Sequence, residues 1–234
     1  MNKFSIFYPV DSLLITQKFG IENTAKDLID WYKSMNLLGH NGWDFKAPHG
    51  SPVRATHDGY AFYEIDSKGG CGVVVRSDRA YDYHGGSSYF KTIYWHLIDG
   101  RDEPEFSSPI TCMDMNSNGQ WVNAGDIIGY VGNTGLSTGD HLHFGIKPQL
   151  KDEINGIWYN IGQSNGYMGA IDPEPFFNGY LASDAKNVFT ILKSILGIQK
   201  EVINLLQDGS PTHDTSVNSL GTRETDTQTN KSNF

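Results

Sequence analysis

The sequence predicts a mainly β fold with a C-terminal helix. Between residues 51 and 148, short apolar runs alternate with clusters of Gly, Ser, Asn and Asp. The chain holds 26 glycines and 12% aromatic residues, a composition suited to frequent turns and pleated surfaces. Helical spacing is confined to 25–36 and 184–207.

Residues 5–20 read as short strands and turns ending at Phe19-Gly20. In 25–36, Leu28, Ile29, Tyr32 and Met35 share one helical face, and Gly39 stops the helix. Val53, Ala55 and the run Ala61-Phe62-Tyr63 flank Asp58-Gly59, a pair suited to a hairpin turn. Residues 73–76, 92–97, 126–131 and 142–146 are further strand candidates. The segments 78–89, 99–120 and 149–170 read as long loops, a length compact domains reserve for function or motion. Residues 173–180 close the domain.

The character then changes. In 184–207, Val188, Ile195 and Val202 recur every seven residues, and Ile191, Ile198 and Leu205 fill the second seam. Gly197 weakens that helix. Its apolar face can pack on the domain, form a homo-oligomer or dock the chain on a larger assembly such as a virion. Residues 208–234 are polar and lack the apolar surface needed to order themselves. The expected organisation is a domain over 1–180, a helix over 181–207 and a disordered tail over 208–234.

At 234 residues the chain suffices for one substantial domain and an appendage. Its net charge, 18 − 27 = −9, argues against nucleic acid as a partner, because a polyanion needs a basic face. No segment approaches the ~20 apolar residues of a membrane span. The first twenty residues hold no apolar run of signal-peptide length. Work outside the cytoplasm is therefore expected to need a lysis system, a virion or a removed upstream segment. Two cysteines, Cys71 and Cys112, cannot build a four-thiolate zinc site and are expected to be free thiols.

The chemistry is carried by histidines. His141 and His143 form H-L-H in a segment that reads as strand, so both point to one face while Leu142 points to the other. In H-N-G-W-D, Gly42 disfavours a helix, which places His40 and Asp44 on a loop and the start of a strand. Two histidines, an aspartate and a water make a catalytic zinc set with one open position. Such an ion lowers the pKa of water toward ~7 and polarises a carbonyl. His49, His57, His84 and His213 receive no role, and His57 is expected to be solvated.

These pieces resemble a known family. G-H-N-G-W-D-F (39–45), A-P-H-G-S-P-V-R-A-T-H-D-G (47–59), Y-W-H-L (94–97), A-G-D-I-I-G-Y-V-G-N-T-G-L-S-T-G-D-H-L-H-F (124–144) and D-P (172–173) match the lysostaphin-type, or LytM-like, zinc endopeptidases in order. The resemblance covers roughly residues 8–180. It implies a largely antiparallel sheet crossed by an active-site groove. It implies His40, Asp44 and His143 as zinc ligands, with His96 and His141 as unliganded active-site histidines. It implies peptide bonds of bacterial peptidoglycan as substrate, cut at the cell wall by an endolysin-like hydrolase.

Histidine must move the protons, since no H-E-x-x-H glutamate is present; either His96 or His141 can be the base. Trp43 stands where a smaller aliphatic residue is common, Gly145 stands where many members carry an acid, and the loops 99–120 and 149–170 look enlarged. These departures bear on substrate preference. The loops 78–89, 99–120 and 149–170 are expected to border the groove, with Trp158, Tyr159 and Tyr167 lining it. Two alternatives stand beside this reading. One is an inactive wall-binding module that activates other hydrolases. The other is an endopeptidase acting on glycine-rich proteins.

Overall fold

The computed structural model describes residues 3–23, 25–185 and 199–200. The chain falls into two units, Met1–Ile191 and Leu192–Phe234, and every element below belongs to the first. The heptad positions Val188, Ile191, Ile195, Ile198, Val202 and Leu205 and the tail 208–234 lie outside the described residues. No helix among the described residues is long and apolar enough to cross a membrane.

In chain order the described strands are β1 (Ile6–Tyr8), β2 (Ile15–Gln17), β3 (Trp43–Phe45), β4 (Pro52–Arg54), β5 (Gly59–Asp66), β6 (Gly70–Ser77), β7 (Tyr81–Tyr83), β8 (Gly86–Leu97), β9 (Gln120–Val122), β10 (Ile127–Tyr130), β11 (Leu142–Lys151), β12 (Trp158–Asn160) and β13 (Phe177–Leu181). One short helix, α1 (Ile29–Ser34), precedes β3. The main sheet runs β2-β3-β11-β8-β6-β5-β9, with β12 added to β11 and β7 to β8. Its pairings are antiparallel. The mainly β, antiparallel expectation therefore holds. β4 pairs with β10, and β1 pairs with β13 in parallel.

Strand alternation divides the sheet into two faces. On one, Phe45, Val73, Val75, Tyr94, Leu142, Phe144 and Ile146 are buried against Val53 of β4, Ile128 of β10 and the N-terminal Ile6 and Val10. On the other, Phe62, Val74 and Ile93 form a smaller cluster with Trp95, and Cys112 and Met115 of the 99–120 segment pack onto it. The second face is the one that carries His143.

Three local expectations are corrected. Asp58-Gly59 does not close a hairpin between β4 and β5, because β4 pairs with β10 and Gly59 already pairs with Ser77 and Val122. Asp58 instead accepts a hydrogen bond from Ala124 N at 2.7 Å. Residues 78–89 are not an open loop. β7 and β8 form a hairpin turned by His84 (φ 48°) and Gly85 (φ 77°), the paired positive φ values of a type I′ turn. Tyr81 and Tyr83 pack on Phe90 in the main core, so this hairpin does not border the His143 face. Within 149–170, β11 continues to Lys151 and returns as β12. Cys71 and Cys112 are free thiols.

Candidate metal centre

The register of β3 against β11 sets Asp44 directly opposite His143. His40 lies four residues before Asp44 and is fixed by a bridge to Gly20. Leu142 is fully buried on the opposite face, as the alternation of H-L-H requires. Gly42 makes the approach possible. A Cβ there would lie 2.4 Å from the Phe144 carbonyl oxygen and 2.8 Å from the His143 ring.

Three atoms meet as a result. His40 Nε2 stands 3.0 Å from His143 Nδ1 and 3.1 Å from Asp44 Oδ1, and His143 Nδ1 stands 3.0 Å from Asp44 Oδ1. His40 Nδ1 is 3.1 Å from the Lys18 carbonyl oxygen. A carbonyl only accepts, so Nδ1 carries the proton and the neutral ring presents a bare Nε2. A carboxylate oxygen and an imidazole lone pair thus point at each other inside a buried pocket. That concentration of lone pairs fits a cation. Donors sharing a tetrahedral zinc at ~2.0–2.1 Å are themselves roughly 3.3 Å apart, close to the spacing here. Among the described residues, His40, Asp44 and His143 form the cluster that can hold a metal ion.

His96 and His141 flank this triangle. His141 Nδ1 donates to the Gly139 carbonyl at 2.8 Å, and its Nε2 lies 3.7 Å from Asp44 Oδ1. His96 Nδ1 donates to the Thr134 carbonyl at 2.8 Å. Its ring centre is 4.7 Å from that of His141 and 6.1 Å from that of His143. Trp95 is the residue paired with His143, so regular alternation would send His96 to the core. A left-handed backbone at His96 (φ 64°) breaks that alternation, a strain that persists only where the surroundings hold it.

The electrostatics follow from burial and neighbours. Burial acts to raise the Asp44 carboxyl, but its imidazole neighbours, His40 and then His143, outweigh it and hold Asp44 well below the carboxylate range. Burial lowers His143, against the attraction of Asp44. Burial and the charge of His143 lower His96 to about 4, so it is a neutral acceptor at ordinary pH.

The five singled-out residues, His40, Asp44, His96, His141 and His143, therefore share one pocket. His57 is corrected. It is buried, donating from Nδ1 to the Asp58 carbonyl at 2.8 Å and meeting Thr92 Oγ1 at 2.9 Å through Nε2. His49 bridges Glu103 and Asp140 at 3.0 and 3.1 Å, joining the 99–120 segment to the turn before His141. Trp158 lies on the His143 face, its ring 4.0 Å from the Arg76 guanidinium. Tyr159 is exposed and Tyr167 packs on Phe19 at 4.6 Å. The carbonyls of Lys18, Thr134 and Gly139 carry no signal in the sequence, since any residue can supply a carbonyl.

Residues 38–155 match the model of peptidase family M23. The chain belongs to that family. The M23 match agrees with the motif-based resemblance. The chain is 36% identical over 105 residues to the DD-carboxypeptidase/endopeptidase Mpg of Neisseria meningitidis, a match covering 45% of this chain and 19% of that protein. It is 30% identical over 143 residues to the peptidoglycan DD-endopeptidase ShyB of Vibrio cholerae, covering 58% of this chain and 26% of that protein. The chain thus spans about a fifth to a quarter of these curated relatives, 19% and 26%. The solved catalytic domain of lysostaphin from Staphylococcus simulans is 22% identical with a TM-score of 0.40, covering 74% of this chain and 91% of that one. A zinc-containing peptidase from Vibrio cholerae is 25% identical with a TM-score of 0.44, covering 74% of this chain and 41% of that one.

Proposed function

We propose that this M23 domain is a zinc-dependent endopeptidase that hydrolyses peptide crosslinks or crossbridges of bacterial peptidoglycan, acting at the cell wall. His40, Asp44 and His143 hold the ion. The observation that carries this reading is the triangle of His40 Nε2, Asp44 Oδ1 and His143 Nδ1, with edges of 3.0–3.1 Å and more lone pairs than protons. A zinc ion held by these three residues would supply a Lewis acid able to activate water and polarise the scissile carbonyl.

The remaining roles fall to the chain. His141 is the proton acceptor. Its Nδ1 is committed to the Gly139 carbonyl, which leaves Nε2 facing the triangle, 3.7 Å from Asp44 Oδ1. The same nitrogen then returns the proton to the leaving amine. His96, kept neutral by burial, accepts a hydrogen bond at Nε2 and orients the attacking water. All five groups in one pocket favour an enzyme over a non-catalytic wall-binding module. The relatives' names, DD-endopeptidase among them, favour wall peptides over glycine-rich proteins. Mass spectrometry of products released from purified peptidoglycans of several crosslink types tests the reading. New amino termini at crosslinks, lost on chelation, support it; intact crosslinks with the zinc-loaded protein overturn it.

A further inference from the structure

Four residues beyond His143, on the same face of β11, stands Lys147. It is register-paired with Lys91 of β8, which is paired with Arg76 of β6. Three cations thus form a row across three adjacent strands. Directly opposed side chains in an antiparallel sheet sit about 4.5–5.5 Å apart, and like charges there are destabilising. In a chain of net charge −9, such a row on one sheet face calls for a counter-charge. No described carboxylate lies within ion-pair distance of any of the three, although the charge of Glu64 reaches them all.

The row is a built feature. Arg76 is 5% exposed. Its guanidinium lies 4.0 Å from the Trp158 ring centre and 5.2 Å from that of Phe62, and its Nε donates to Gln149 Oε1 at 3.2 Å. Among the described residues that is its hydrogen bonding in full, so the terminal nitrogens are left for a ligand. A recess of about 190 Å³ adjoins it, bordered by Arg76, Lys91, Gln149, Trp158 and Asn160. Burial lowers all three cations, Lys147 to about 8 with the charge of Lys91 adding to the effect. An arriving anion would relieve that strain.

His143 and the row share one face of β11. Gly145 occupies the intervening position on this face, and a Cβ there would meet nothing closer than 3.5 Å. At ~3.3 Å per residue, His143 and Lys147 are about 13 Å apart along the strand, the span of about four residues of extended peptide.

We propose that Arg76, Lys91 and Lys147 form an anion subsite that takes a carboxylate of the peptide substrate, about four residues from the bond being cut. This rests on the peptidase reading above, and it narrows the substrate to peptides carrying a free carboxylate at that distance.

The test is calorimetric, on the full-length zinc-loaded protein. The probes are a tetrapeptide with a free C-terminal carboxylate, the same peptide as its C-terminal amide, and inorganic phosphate. The acid should bind about tenfold more tightly than the amide, the scale of one charge-assisted hydrogen bond. Lys91→Met and Lys147→Met should each erase that difference while raising the melting temperature, because each removes a like-charge repulsion; Lys147→Arg should retain it. Equal affinity for acid and amide in the native protein, persistence of the difference in both Met variants, or tighter binding of phosphate than of the acid would each overturn the subsite. Failure to cleave any wall peptide would sink the peptidase reading, while the acid–amide comparison would still decide the subsite.

Discussion

Gly42 lies beneath His143, and the space a side chain would take at position 42 is filled by the imidazole ring 2.8 Å away. The glycine of H-N-G-W-D is therefore a packing requirement of a residue 101 positions later, 143 − 42. Gly42→Ala should displace the ring and lower metal affinity by about 10–100-fold, the range seen when a ligand's support is disturbed. Metal titration of the purified variant, with circular dichroism to show retained sheet, checks this.

The two kinds of histidine should separate. His40→Ala removes one corner of the triangle and should lose bound zinc and peptidase activity together. His141→Ala leaves the triangle whole, so it should keep its zinc and lose about 10²–10⁴ in rate, the usual contribution of a positioned acid–base group. Metal content beside turnover on crosslinked wall peptides reads both. A His141→Ala variant that cleaves at the native rate would remove His141 from the mechanism.

His57 sets part of the acid limit of stability. Burial lowers its imidazole to about 4, against a hydrogen bond to the Asp58 carbonyl, whereas the unfolded chain titrates near ~6.5. A depressed folded pKa means the contribution is complete above the unfolded value and lost as pH falls from about 6.5 toward 4. The loss amounts to roughly 3 kcal/mol at about 1.4 kcal/mol per unit. His57→Gln should flatten the melting temperature over that window; an unchanged slope would exclude His57 as the cause.

His49 acts in the opposite sense. Hydrogen bonds to Glu103, then Asp140, raise its imidazole. The charged bridge is therefore complete below about 6.5 and is lost as pH climbs through the raised value. The bridge is exposed, so its effect should be local. Hydrogen-exchange protection in 99–120, taken relative to the intrinsic rate at each pH, should fall between pH 6 and pH 9, and His49→Ala should abolish that fall.

What could be read in advance follows from the range of each interaction. H-L-H was legible because strand alternation is local, and His40 with Asp44 because both sit within one short motif. The hairpin expected at Asp58-Gly59 failed because β4 finds its partner at β10, a choice made by packing rather than by the turn pair. The turn at His84-Gly85 was missed because its glycine-rich surroundings read equally as loop. His57 looked solvated because its partner Thr92 is 35 positions away. The row Arg76–Lys91–Lys147 has no trace in any single segment, since it exists only in the register of three strands.

His40, His96 and His141 are each anchored through Nδ1 to a main-chain oxygen, on Lys18, Thr134 and Gly139 respectively. Every amino acid brings that same oxygen. Ring orientation is thereby insulated from mutation at the anchoring positions, and the segments carrying them are free to drift in sequence so long as their course is kept. Surrounding walls can then be remodelled for new substrates without retuning the reactive core.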